Sequence, residues 1–127
     1  MLFVKENSNP KGWKIGDCVI RACAYATEKS WDEVYTSLYE IAFKKKRMLS
    51  DDCVVNKYLT DNGFVKMPML KDVYGDKLTV RELVEKYEDK GTLVIHTRRH
   101  LTTSVNGIVK DTWDTSRQNT GYYYFKQ

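Results

Sequence analysis

The chain has 127 residues, a net charge of +4 at neutral pH, 42% hydrophobic and 30% charged residues. That is enough for one domain over residues 1–127 with its own core, needing no metal or disulfide staples, and the balance excludes a disordered or collagen-like chain. The positive charge is not gathered into a long stripe, so basicity is a weak sign of nucleic-acid binding. No apolar run approaches a membrane span.

Three cysteines, an odd and sparse set, fit a reducing cytosol better than an oxidised secreted scaffold. The first residues hold no charged leader followed by an apolar stretch, so no signal peptide is expected.

Residues 7–16 are rich in Asn, Pro, Gly and Lys and read as a loop. Asp17 stands where an N-cap belongs, and residues 18–27 read as a short apolar helix, buried because it is apolar nearly all round. Ser30-Trp31-Asp32-Glu33 is a capping box. The helix after it carries Trp31, Val34, Tyr35, Leu38, Ile41 and Ala42 at spacings of three and four. It ends in Lys44-Lys45-Lys46-Arg47, where cations complement the helix dipole. A third helix is expected to start after Ser50 and to stop at Asn62-Gly63. Thr79-Val80-Arg81-Glu82 repeats the capping box and starts a short helix ending near Gly91.

The texture then changes. Residues 92–97 are β-rich. Leu101–Val105 and Ile108–Trp113 flank Asn106-Gly107, a hairpin signal. Tyr122–Phe125 reads as a last strand. Helices first and an antiparallel sheet second make an α+β domain.

Cys18 opens the first helix. Unpaired N–H groups and the positive end of the dipole favour thiolate there. The same N–H groups can hold an oxyanion. Against this, most free cysteines are small buried hydrophobes. Cys23 and Cys53 fall within helices and are expected to be inert.

A thiol nucleophile needs a base, and the only histidines are His96 and His100. A two-residue Asn106-Gly107 turn pairs Val105 with Ile108 and Ser104 with Val109. Alternation then puts His100, Thr102, Ser104, Val109, Asp111 and Trp113 on one face. Asp111 becomes a diagonal neighbour of His100 and Asp114 points away; one bulge would exchange the two aspartates. A carboxylate beside the imidazole fills the third role of a triad. His96 and His100 are four apart, a metal spacing only on a helix, and no third ligand stands nearby. No metal and no cofactor is expected.

The order Cys18, His100, Asp111, with the cysteine opening a helix and the other two on a following sheet, resembles the papain-like cysteine peptidase superfamily. Asp17-Cys18 before an apolar helix, and His100 leading a hairpin, look most like its bacteriocin-processing (C39-like) branch. The whole chain resembles small phage and prophage proteins with a peptidase-like fold. Their features recur as Asn9-Pro10-Lys11-Gly12, the Gly16–Ala22 block, Ser30–Tyr35, His100-Leu101-Thr102, and Asn106-Gly107 followed by Asp111-Thr112-Trp113-Asp114.

The resemblance implies a papain-like fold, with N-terminal helices packed on a C-terminal antiparallel sheet. It also implies a protein or peptide substrate, which could be a bacterial host protein, and the host cytoplasm as location. A monomer or small homo-oligomer is expected, with no nucleic acid and no membrane. Papain-like enzymes place a Gln before the nucleophile as oxyanion donor. Here Gln occurs only at Gln118 and Gln127, and the upstream amides are Asn7 and Asn9.

Two functions follow. One is a thiol hydrolase of amide or isopeptide bonds through Cys18, His100 and Asp111; acyl transfer and glutamine deamidation use the same groups. The other is a peptidase-fold binding protein, weakly active or inactive, that inhibits a host defence factor.

Overall fold

The computed structural model describes residues 1–127. In chain order the elements are β1 (Leu2–Lys5), α1 (Cys18–Thr27), α2 (Trp31–Lys45), α3 (Asp52–Asp61), β2 (Val65–Met67), α4 (Val80–Lys86), β3 (Thr92–Thr97), β4 (His100–Val105), β5 (Ile108–Asp111) and β6 (Thr120–Lys126). Both capping boxes form. The Ser30 and Thr79 hydroxyls accept from the N–H groups of Glu33 and Glu82, and each glutamate accepts from the cap N–H in return. Lys44 and Lys45 lie in the last turn of α2, where the dipole favours cations.

The six strands form one sheet in the order β1-β5-β4-β3-β6-β2. Expected to be antiparallel and C-terminal, it is instead mixed. β1 joins it from the N-terminus, running parallel to β5 at one edge, and β2 from mid-chain closes the other edge. The correction has a simple cause: both edge strands are too short to show a period. The α+β class stands.

The sheet separates two apolar layers. α1, α2 and α3 pack on one face through Ile20, Val34, Leu38, Val54, Leu59 and their neighbours, against Val94, Leu101 and Tyr124. On the other face α4 and the segment before it bring Leu78, Val80, Leu83 and Val84 onto Leu93, Ile95, Val109 and Tyr123. Burying each such side chain contributes about 1.5–3 kcal/mol. α1 is pinned to β4 by the Thr103 hydroxyl, which donates to the Ala22 carbonyl at 2.9 Å. No helix is long and apolar enough to cross a membrane.

Two tight hairpins set the sheet's chemistry. Asn106 and Gly107 both take positive φ, 48° and 83°, the turn whose twist matches the flanking strands. Val105 pairs with Ile108 and Ser104 with Val109, the register the turn demands. The β3–β4 hairpin turns on Arg98-Arg99, with Thr97 paired to His100.

Candidate active site

Asp17 is the first departure from expectation. It stands at the N-cap of α1, yet its side chain makes no capping bond. Its carboxylate turns inward and accepts from Arg21 Nε at 2.8 Å, Trp31 Nε1 at 2.9 Å and Asn9 Nδ2 at 3.3 Å. No side chain therefore caps the first turn, whose N–H groups have no helical partners. Burial would raise the Asp17 pKa. The bonds from Arg21, Trp31 and Asn9, with the Arg21 charge, outweigh it and keep the group below the ordinary carboxylate value.

Arg21 lies one turn further along α1. Its Nη1 donates to Asp111 Oδ1 at 2.8 Å, so one guanidinium joins Asp17 to the end of β5. All three side chains are almost fully buried, at 12% exposure for Arg21 and 3% for each aspartate. Asp111 is fully engaged. Oδ1 also accepts from the Thr112 N–H, and Oδ2 from the Thr102 hydroxyl at 2.9 Å and from His100 Nε2 at 2.7 Å. Burial again opposes ionisation. The His100 bond and charge, the Thr112 N–H and the Thr102 hydroxyl hold the Asp111 pKa below its ordinary value.

An ionised Asp111 can only accept, so His100 carries its proton on Nε2. That leaves Nδ1 for Cys18. Cys18 is half-buried at the start of α1 and shares a cavity wall with His100. Burial would push its thiol up; the His100 hydrogen bond, the Leu101 backbone and the charges of His100 and Arg21 bring it below 9.0. Burial alone would lower the His100 pKa from 6.5. Asp111 and Cys18, by hydrogen bond and charge, raise it to about 9. Each of the two groups favours the ionised form of the other, the mutual bias on which a thiolate–imidazolium pair depends. The Trp113 ring tilts against the imidazole, with ring centroids 5.1 Å apart.

The three residues on which the sequence reading settled thus come together from α1, β4 and the end of β5. Asp114 does not join them. It is exposed, accepts from the Ser116 N–H, and lies past the end of β5, which stops at Asp111 rather than Trp113. The two upstream amides are committed to the loop: Asn9 Nδ2 bonds Asp17, and Asn7 Nδ2 bonds the Trp13 carbonyl at 3.1 Å.

Cys23 is fully buried, with its pKa pushed up to about 12 by burial first and then by Cys18. Cys53 lies in α3, as expected, and is exposed. His96 is on the Cys18 cavity wall, stacked on Tyr122 at 4.9 Å.

The cavity beside Cys18 holds about 210 Å³. Val19, Val55, Leu101 and the two tyrosines Tyr122 and Tyr124 make it largely apolar, while Asp52, His96 and Arg99 add polar groups. The residues that sequence reasoning missed are Arg21, Thr102 and Trp31. Arg21 had a signal: it is the single charge in an otherwise uncharged helix, four residues after Asp17. No family model matches the chain, and neither a curated protein nor a solved structure matches it.

Proposed function

We propose that the protein is a papain-like thiol acyl-transfer enzyme of the small phage or prophage kind, hydrolysing an amide or isopeptide bond of a protein or peptide in the bacterial host cytoplasm. The observation that carries the reading is the Cys18–His100–Asp111 arrangement, with His100 held by Asp111 at 2.7 Å and the thiol pKa below its ordinary value. His100 takes the Cys18 proton through Nδ1, and the thiolate attacks the carbonyl carbon. The C–N bond breaks as the imidazolium protonates the leaving amine, and a thioester to Cys18 remains. Water attacks the thioester while His100 takes its proton. The acid departs and the thiol is restored. An amine in place of water gives transfer, and a glutamine side chain as substrate gives deamidation with loss of ammonia.

The oxyanion falls to backbone N–H groups of the uncapped first turn of α1, since Asn7 and Asn9 donate elsewhere. That same commitment favours a second reading, a slow or inactive peptidase-fold protein that binds and blocks a host factor. Iodoacetamide at neutral pH separates the two. The enzyme reading expects Cys18 to be labelled faster than the exposed Cys53, with the preference lost in His100→Ala. Labelling of Cys53 first, unchanged by His100→Ala, leaves only the binding reading.

A further inference from the structure

Next to the Cys18 cavity, and sharing His96 and Arg99 with it as wall residues, lies an open groove of about 580 Å³. Its lining includes Lys77, Arg98 and Arg99, the His96 ring, and Gln118 and Asn119. It contains no carboxylate and no apolar side chain. Lys77, Arg98 and Arg99 are exposed, and none of them forms an ion pair within the chain. Three unneutralised cations facing one concavity raise its positive potential and concentrate anions there.

The tip of the β3–β4 hairpin supplies the two arginines. Arg99 sits at φ 56°, a left-handed position that favours Gly or Asn. Guanidinium groups match carboxylates with paired donors. Gln118 and Asn119 make no side-chain hydrogen bond within the chain and add neutral donors to the same lining. The groove offers a base no Trp, Tyr or Phe to stack on, and its one ring, His96, already has a face against Tyr122. Its cations are clustered in one hollow rather than strung along a phosphate backbone.

We propose that this groove binds carboxylates of an acidic peptide segment, so that the substrate attacked by Cys18 is a polypeptide with Asp or Glu residues beside the reacting amide. The groove assignment stands on its own residues; its link to the substrate rests on the thiol-enzyme reading. Substrate would lie across the shared wall, its acidic residues against Arg98 and Lys77 and its reacting carbonyl at Cys18.

The test uses the full chain with a short glutamate homopeptide, a glutamine homopeptide of equal length and oligothymidylate of equal charge, each followed by backbone amide NMR. The glutamate peptide is expected to shift the amides of Asn119, Thr120 and Gly121 and to slow iodoacetamide labelling of Cys18, while the glutamine peptide does neither. Lys77→Ala with Arg98→Ala should weaken the glutamate peptide by about tenfold or more and leave unprotected labelling of Cys18 unchanged. Neither residue lines the Cys18 cavity. Tighter binding of oligothymidylate in the groove, glutamate-peptide shifts lying elsewhere, or undiminished affinity in the double variant would each overturn the proposal. Groove shifts without any Cys18 labelling would remove the thiol reading and leave the carboxylate site standing.

Discussion

Arg21→Met removes the guanidinium that Asp17 and Asp111 share. Both of its bonds are 2.8 Å long, and the three side chains are almost dry. A hydrogen bond to a charged group contributes about 1.5–3 kcal/mol, and breaking a buried ion pair from one side costs about 3–5 kcal/mol. The surviving donors, Trp31 and Asn9 on Asp17 and His100 and Thr102 on Asp111, soften the loss. We therefore expect a loss of about 3 kcal/mol, a large part of a domain's stability of about 5–15 kcal/mol. Urea unfolding followed by tryptophan fluorescence and circular dichroism reads it directly. Asp17→Asn and Asp111→Asn added to Arg21→Met should recover part of the loss, because the uncompensated charges are then gone. A single variant within about 1 kcal/mol of the parent would show that the bridge contributes no more than a surface pair and refute the reasoning.

Asp111→Asn takes away the charge that helps hold His100 at about 9. The alkaline limb of any Cys18-dependent turnover, set by loss of the imidazolium that protonates the leaving amine, should move to lower pH in this variant; a limb that stays near 9 contradicts the triad. Asp17 and Asp111 have folded pKa values below 3.8, so their stabilisation is present above 3.8 and lost as pH falls through the lowered values. Urea midpoints at pH 7, 4 and 3 should therefore fall towards acid, and Asp17→Asn should flatten the slope. Gly107→Ala places a Cβ 2.5 Å from the Asp89 Cβ at a φ of +83°. It should cost at least about 1–2 kcal/mol and slow Cys18 labelling, because this turn sets the register that carries Asp111. An unchanged melting temperature would count against it.

The part of the site that was legible came from local rules. Asn106-Gly107 dictates one register, and side-chain alternation then selects Asp111 over Asp114. Cys18 was legible because Asp17 and an apolar stretch mark a helix start. Arg21 showed only as a lone charge four residues after Asp17; its role was not legible, because its second partner lies 90 residues away and no local pattern reports such a contact. Asp17 was misread for a related reason. Its type and position fit a cap, but a buried guanidinium outcompetes the helix N–H groups for its oxygens. The Asn7 and Asn9 amides likewise follow loop contacts that composition does not encode. The parallel pairing of β1 with β5 needed the tertiary structure, since a four-residue strand offers no signal of its partner.

The most direct test of the proposed chemistry is intact-mass spectrometry of the protein mixed with an activated acyl ester, in a Cys53→Ser background that removes the exposed competing thiol. The expected result is a single acyl group on Cys18 that disappears with time as water completes the cycle, with no adduct in His100→Ala over the same interval. An acyl adduct that forms equally fast without His100, or no adduct on Cys18 at all, would contradict the assignment of Cys18 as a nucleophile served by His100 and Asp111.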